Sequence, residues 1–255
     1  MQMSGNTILI TGGGTGIGRG LAEAFHALGN RVIVAGRRQA ALDMTTAANP
    51  GMASITLDIE DPAAIKAFAA EVTAQHPDLD IVINNAGMMK IEDILAQPED
   101  VGTAEATVVT NLLGPIRLTA ALLPFLMKKP RATVMTVSSG LAFVPRASTP
   151  SYSATKAAIH SYTQSLRFQL RTTAVEVIEI VPPYVQTELM GPQQAIDPAA
   201  MPLADFIAET MALLATGAQE ICVERVKPLR FAEARGDYDT LFKTRNEPRI
   251  PEPAR

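Results

Sequence analysis

The sequence lacks the features that would suit export, a membrane or a nucleic acid. Its 255 residues include one cysteine, Cys222, which excludes an intramolecular disulfide framework and fits a reducing compartment. Lys and Arg number 22 against 26 Asp and Glu, and the net charge of −4 argues against nucleic-acid binding, which depends on basic surface. No apolar run approaches about 18 residues, and residues 1–7 carry no basic segment, so we expect neither a membrane span nor a signal peptide. These absences predict a soluble, cytoplasmic protein.

Short, branched apolar runs alternate with helical periodicity along most of the chain. The runs predicted to be buried strands are 8–10, 32–35, 54–57, 81–83, 133–137 and 175–180. The helices are predicted from 17 to 28, from 61, from about 103 to 127 and from 152 to about 170. Strands that alternate with helices imply right-handed crossovers and a parallel sheet covered on both faces. The sequence therefore predicts an α/β, three-layer, doubly wound Rossmann fold, as a single domain over 1–255.

Several segments carry weaker expectations. Glu176 and Glu179 interrupt the sixth strand, and we expect them near its end or against a helix rather than in a dry core. Residues 184–204 hold Gly191 and three prolines and predict a substrate loop with short helical pieces. The basic residues between 225 and 235 suggest a solvated face, and the tail 246–255 an extended segment. The three histidines are scattered without metal-binding spacing, so no metal is expected.

A glycine cluster lies between the first predicted strand and the first predicted helix. It reads Thr-Gly-Gly-Gly-Thr-Gly-Ile-Gly over residues 11–18. Glycines let the backbone turn tightly and approach a phosphate, and the helix that follows offers unpaired N–H groups to an anion. A plain strand-to-helix turn is the alternative. We expect a dinucleotide phosphate site made by Gly12, Gly14, Thr15, Gly16, Ile17 and Gly18.

The spacing TGxxxGIG resembles the short-chain dehydrogenase/reductase family, and four later motifs extend the resemblance. They are Asn-Asn-Ala-Gly at 84–87, Asn111, Ser138-Ser139, and the YxxxK pattern from Tyr152 to Lys156, thirteen residues after Ser139. The motifs keep the family's order over residues 5–190. Within the family, the stretches SSGLAFVP and ATKAAIHSYT are similar to a bacterial branch of DltE-like oxidoreductases, a label that fixes no substrate.

Tyr152 and Lys156 lie four residues apart and therefore share one helix face. A free tyrosine has a pKa of about 10 and is a poor acid or base at neutral pH. A nearby ammonium lowers that pKa, so the pair is suited to protonating an alkoxide formed by hydride transfer, or to the reverse reaction. Ser139 is placed to orient the substrate oxygen. The resemblance implies that Lys156 also holds the nicotinamide ribose and that Asn111 anchors a water in a proton relay.

The residues after the second strand bear on the choice of cofactor. Enzymes of this fold that use NAD usually place a carboxylate there, whereas this chain has Gly36-Arg37-Arg38. Guanidinium groups suit a 2′-phosphate, which predicts a preference for NADP(H), with NAD(H) as the alternative. We favour Arg37 over Arg38 because it comes first after the strand. A pair of solvated arginines stays open, since Thr15 stands where many NADP-dependent members have Arg or Lys.

The resemblance implies further cofactor contacts. Asp58 and Ile59 correspond to the pair that contacts adenine, and Asn85, Ala86 and Gly87 to the turn beside the cofactor. Pro182, Val185 and Thr187 correspond to the segment that holds the nicotinamide amide. Pro183 stands where the family commonly has glycine, and its missing N–H and fixed φ constrain that turn.

These residues predict an NADP(H)-dependent oxidoreductase that interconverts a carbonyl compound and its alcohol, with tyrosine as general acid and base. Two alternatives stay open: a nucleotide-binding sensor or regulatory protein on the same fold, and a lyase or epimerase that uses the same site. The expected partner is a small-molecule substrate, with no nucleic acid and no membrane. The resemblance implies a homodimer or homotetramer formed through the long helices that start near 103 and 152.

Overall fold

A computed structural model describes residues 1–96 and 101–247. Its strands are β1 (Thr7–Thr11), β2 (Arg31–Gly36), β3 (Ala53–Thr56), β4 (Leu79–Asn84), β5 (Ala132–Val137), β6 (Val175–Val181) and β7 (Glu220–Cys222). Every neighbouring pair is parallel, and the strand order is β3-β2-β1-β4-β5-β6-β7. The order reverses between β1 and β4, which opens a crevice at the carboxyl ends of the strands.

Helices cover both faces of this sheet. They are α1 (Gly16–Ala27), α2 (Gln39–Ala48), α3 (Pro62–Gln75), α4 (Gly102–Val108), α5 (Gly114–Leu126), α6 (Pro150–Leu170), α7 (Pro192–Ala195), α8 (Leu203–Ala215), α9 (Lys227–Arg230), α10 (Ala232–Arg235) and α11 (Tyr238–Asn246). One core cluster joins α1, α2 and α8 to the sheet, and a second joins α3, α5 and α6 to its other face. The predicted three-layer, doubly wound architecture is confirmed.

The alternation of side chains along β1 illustrates why the central strands are apolar throughout. Ile8 and Ile10 belong to the first core cluster, whereas Leu9 belongs to the second. Successive side chains of a strand point to opposite faces, and both faces here are covered by helices. Each of these side chains is fully buried, which contributes about 1.5–3 kcal/mol relative to exposure.

The long apolar stretch Gly102–Leu126 is helical and, by length and composition alone, is sufficient to cross a membrane. Within it Leu118, Leu122 and Leu126 are fully buried against the sheet. The stretch is interrupted by a π-helical turn, Val109–Leu113, between α4 and α5. Packing against the sheet therefore accounts for its apolar face.

The six predicted strands are present, and two local expectations were right only in part. Glu179 lies against a helix, as expected, but it is fully buried, with its carboxylate 2.8 Å from Nδ1 of His160 on α6. Of the basic residues expected on a solvated face, Arg225, Lys227 and Arg235 are exposed, whereas Arg230 is half-buried and bonds the carboxylate of Glu220. Glu176 is half-buried and pairs with the amino terminus. Of the tail predicted to be extended, residues 248–255 lie outside the described part of the chain.

Candidate active site

The motifs meet in one cavity of about 650 Å³ at the carboxyl ends of the strands. The predicted site residues that line it are Gly12, Gly14, Thr15, Gly16, Ile17, Arg37, Arg38, Ile59, Asn85, Ala86, Gly87, Ser139, Tyr152, Lys156, Pro182, Val185 and Thr187. Three others, Gly18, Asn111 and Asp58, do not border the cavity itself. The separate motifs of the sequence thus form one continuous site.

The glycine loop depends on its glycines for conformation and for space. Gly12 and Gly16 have φ values of +67° and +54°, in the left-handed region that other residues rarely adopt. A Cβ atom on Gly18 would lie 2.3 Å from the carbonyl oxygen of Gly12, so α1 can approach the loop only without a side chain there. Gly18 therefore acts by packing rather than by touching a ligand.

The amino terminus of α1 borders the cavity and is suited to an anion. Thr15 at its N-cap makes no side-chain capping bond, and the first turn contains no acidic residue. The first N–H groups of a helix have no partner within the helix, and the helix dipole favours negative charge at that end. The loop and the helix terminus therefore fit the phosphates of a dinucleotide.

Thr11 holds the second motif against the first. Its Oγ1 accepts bonds from the backbone N–H of Asn85, at 3.0 Å, and of Ala86, at 3.1 Å. The Asn85 side chain in turn donates to the carbonyl of Thr11 at 2.9 Å. This residue was not predicted to matter, although its position as the last residue of β1, directly before the glycines, was a usable signal.

Ser139, Tyr152 and Lys156 come together where β5 ends beside the first turns of α6. The Lys156 ammonium lies 5.5 Å from the centre of the Tyr152 ring and donates to the carbonyl of Val137 at 2.8 Å. Ser139 lies close enough to Tyr152 to act on the pKa of its hydroxyl, and its Oγ accepts from the N–H of Leu141 at 3.1 Å. The serine is thereby fixed beside the phenol.

Burial sets the protonation of this pair. It raises the pKa of Tyr152 to about 12, opposed by the hydrogen bond from Ser139. It lowers the pKa of Lys156 to about 8, opposed by the negative charge of Glu179. At neutral pH the phenol is therefore protonated and the lysine mostly charged, an arrangement in which tyrosine can donate a proton.

Asn111 lies in the π-helical turn and is almost completely buried. Its amide accepts from the N–H of Met88 at 2.8 Å and donates to the Met88 carbonyl at 2.9 Å, with a further bond to Thr155 Oγ1 at 3.3 Å. Both polar atoms of the side chain are thus engaged with protein. The side chain fixes the cavity wall that follows residues 84–87.

Proteins of known sequence and structure resemble this chain along most of its length. A family model described as short chain dehydrogenase matches residues 6–197. The chain belongs to the short-chain dehydrogenase/reductase family. It is 39% identical over 249 residues to the uncharacterized oxidoreductase DltE of Bacillus subtilis (strain 168), covering 96% of this chain and 98% of the relative. The predicted similarity to the DltE-like branch is confirmed.

Two solved structures with bound nicotinamide cofactors share the fold of this chain. A short chain dehydrogenase from Burkholderia cenocepacia J2315 in complex with NADP has a TM-score of 0.81 at 26% identity, covering 97% of this chain and 100% of that one. A short chain dehydrogenase/reductase from Burkholderia phymatum in complex with NAD has a TM-score of 0.82, covering 100% of both chains, and at 20% identity supports the fold alone. The protein is an NAD(P)-dependent short-chain dehydrogenase/reductase.

The two arginines of this dehydrogenase/reductase differ in their partners. Arg37 forms an ion pair with Glu60 at 2.8 Å, and Glu60 also accepts from Thr110 at 2.8 Å. Arg38 lies against the glycine loop, where it donates to Thr15 Oγ1 at 3.3 Å. The order along the chain favoured Arg37, but among the described residues Arg38 has no acidic partner, whereas Arg37 has Glu60.

The segment after β6 is held by a residue that sequence reasoning missed. The buried Gln194 of α7 donates its amide to the carbonyl of Val185 at 2.8 Å and to Thr187 Oγ1 at 3.0 Å. Backbone bonds from Gln186 to Met201 and from Met201 to Tyr184, both 2.8 Å, close the base of the loop. The sequence offers no signal for Gln194, because its role depends on where α7 folds back.

Proposed function

We propose that this enzyme interconverts a carbonyl compound and its alcohol with NADP(H), and that Tyr152 is its general acid and base. The observation that carries the proposal is the placing of Ser139, Tyr152 and Lys156 on the wall of the cavity that also contains the glycine loop. A proton donor and a dinucleotide cradle in one cavity are the parts that hydride transfer to a carbonyl requires.

The protein's own groups manage the substrate oxygen and its proton. The bound nicotinamide supplies or accepts the hydride. Ser139 hydrogen-bonds the carbonyl oxygen, and Tyr152 gives its proton to the alkoxide that forms. Lys156 then stabilises the phenolate, because an ammonium close to that charge favours it. Burial raises the pKa of the phenol, so the resting enzyme holds the proton that carbonyl reduction consumes.

The preference for NADP(H) is supported by the charges after β2. Arg37 and Arg38 both line the cavity, and no acidic residue occupies 36–38 to bond a ribose 2′-hydroxyl. Arg38 rests on the glycine loop, beside Thr15. We therefore assign the 2′-phosphate contact first to Arg38 and second to Arg37.

The test is a panel of ketones and alcohols with NADPH, NADP, NADH and NAD. We expect oxidation of NADPH that depends on a ketone and yields one alcohol per cofactor consumed, with slower turnover of NADH. Tight NADPH binding without turnover of any carbonyl compound would support the sensor alternative. Substrate conversion with no net change in cofactor would support a lyase or epimerase, and either result would refute the proposal.

A further inference from the structure

Two arginines at the mouth of the cavity take no part in the proposed chemistry. Arg146 follows the 3₁₀ turn Gly140–Ala142, and Arg245 lies near the end of α11, yet both line the cavity that contains Ser139 and Tyr152. Arg146 is half-buried and Arg245 is exposed. The chain brings them together from positions about a hundred residues apart.

A hydrogen-bond clamp fixes this pair. The side chain of Asn246 donates to the carbonyl of Pro145 at 3.1 Å and accepts from the N–H of Ala147 at 2.6 Å, so it spans Arg146 from both sides. The N–H of Arg146 itself donates to Ser153 Oγ at 3.2 Å. Ser153 is buried and directly follows Tyr152, so the backbone that carries Arg146, and through Asn246 the end of α11 that carries Arg245, is anchored relative to the proton donor.

The two guanidinium groups are positioned without a protein counter-ion. In the described part of the chain, no carboxylate lies within ion-pair distance of either one. Although the Arg245 side chain stays accessible to solvent, desolvation by the surrounding protein atoms and then the nearby charge of Arg146 lower its pKa. Like charges held close together repel, and an anion between them would relieve that repulsion.

The rest of the cavity supports the same interpretation. Its lining includes six basic side chains against one acidic side chain, Glu188, among the residues that the structure describes. Two of the basic residues, Arg37 and Arg38, belong to the cofactor end, and Lys156 to the proton donor. Lys90, Arg146 and Arg245 are left for the substrate, together with apolar side chains such as Met89, Leu141 and Leu229.

We infer that the substrate is a carbonyl compound that carries an anionic group, a carboxylate or a phosphate, bound by Arg146 and Arg245. This inference rests on the proposed function. Guanidinium groups bind such oxyanions through two parallel, charge-assisted hydrogen bonds. The carbonyl carbon accepts the hydride as NADPH is oxidised to NADP⁺, and the oxygen takes the proton of Tyr152. The anionic group is unchanged and serves to position the substrate.

The test compares oxo acids with their uncharged methyl esters. The probes are 3-oxobutanoate, 4-oxopentanoate and 5-oxohexanoate. They differ in the number of methylene groups between the ketone and the carboxylate, so the series also measures which spacing the cavity accepts. We expect at least one acid to exceed its ester in kcat/KM by about tenfold or more, the scale of one charge-assisted bond. Arg146→Gln and Arg245→Gln should each reduce this ratio about tenfold. Lys243→Gln removes a charge two residues away on α11, at a residue that does not line the cavity, and should leave the ratio unchanged.

A binding measurement separates this inference from the proposed function. Unreactive pentanoate and butyl phosphate are titrated into the NADP complex, with methyl pentanoate as the neutral control. Binding of either anion that weakens about tenfold in both arginine variants supports the inference even if no carbonyl compound is reduced. Esters that equal their acids at every length, or anion binding unaffected by both substitutions, would overturn it while leaving carbonyl reduction intact.

Discussion

Tyr152 and Lys156 are both buried, and burial acts on them in opposite senses. A buried phenolate and a buried ammonium both lack the hydration that stabilises their charge, so burial favours the neutral form of tyrosine and of lysine. The charge of Glu179 opposes that effect on the lysine. The site thus keeps the protonated Tyr152 next to Lys156, and the carboxylate of Glu179 helps Lys156 to keep its positive charge.

Replacing Tyr152 with phenylalanine removes the proposed proton donor and little else. We expect Tyr152→Phe to lower kcat by about a hundredfold or more, the usual contribution of a general acid. NADPH affinity, measured by calorimetry, should change by less than about twofold. Near-normal reductase turnover would exclude Tyr152 as the acid.

Glu179 offers a test of the lysine's charge, because glutamine has the same shape and can still bond His160. Its carboxylate raises the pKa of Lys156, so Glu179→Gln should lower that pKa further below about 8. If charged Lys156 holds the cofactor, NADPH affinity declines as pH rises through this pKa, and in the variant the decline should begin at lower pH. Glu176→Gln on the same strand, half-buried and paired with the amino terminus, is the matched control. Superimposable pH profiles for Glu179→Gln and the unaltered enzyme would contradict the idea.

Arg37 and Arg38 differ in the interaction that each would have to break before it could bind a 2′-phosphate. The pair between Arg37 and Glu60 is partly exposed, so releasing Arg37 costs about 0.2–1 kcal/mol. A charge-assisted bond to a phosphate returns about 1.5–3 kcal/mol, so either arginine can gain from a 2′-phosphate. Arg38 has no acidic partner in the part of the chain that the structure describes, so we expect Arg38→Ala to reduce the NADPH-over-NADH preference at least about tenfold and Arg37→Ala less. Equal dissociation constants for the two cofactors in the unaltered enzyme would refute the preference itself.

At the scale of elements, sequence reasoning succeeded where a pattern is local. The six strands with short apolar runs and the helices α1, α3, α5 and α6 were predicted, as was the position of the glycine loop, of residues 84–87 and of Ser139 at strand ends. The short edge strand β7 and the helix α2 were missed, since three residues or a run of alanines and threonines give too little periodicity. The full burial of Glu179 was not expected, because it depends on His160, which only the packing of α6 on β6 brings near.

The segment 184–204 is predicted to be a lid over the nicotinamide and the substrate. Gln194 on α7 donates hydrogen bonds to Val185 and Thr187 at the start of this segment, and each bond stabilises the structure by about 0.5–1.5 kcal/mol. We expect hydrogen exchange in this segment to slow when NADPH binds, and Gln194→Leu to reduce that protection and weaken NADPH binding. The neighbouring Gln193 is exposed, so Gln193→Leu is the control. Protection unchanged by cofactor across the segment would argue against a lid.

For the whole molecule, the sign of the charge differs between surface and cavity. The chain carries −4 overall, whereas basic side chains dominate the cavity lining. A positive cleft raises the local concentration of anions, and both NADPH and the proposed anionic substrate are drawn to it. Sequence composition gave the net charge but not this arrangement, because Arg146 and Arg245 meet only through the clamp of Asn246. The cytoplasmic location stays a prediction.

The last prediction concerns assembly. The resemblance implied a homodimer or homotetramer through the helices that begin near 103 and 152. The described parts of these helices leave Val108 and Phe168 exposed, at 37% and 65%. Burial of an exposed phenylalanine in an interface stabilises the assembly. A glutamate at that position would destabilise it, because its charge would lose water or be repelled by the same glutamate of a second copy.

We therefore expect light scattering to give a dimeric or tetrameric mass, and Phe168→Glu to shift it toward the monomer. Met44→Glu is the matched control, because Met44 is 60% exposed on α2, on the opposite face of the sheet. A monomeric mass for the unaltered protein at micromolar concentration would exclude the assembly. Met44 and Phe168 lie on opposite faces of the sheet, so an interface formed by the long helices would include Phe168 and not Met44. An equal shift by Met44→Glu would therefore contradict an interface formed by those helices.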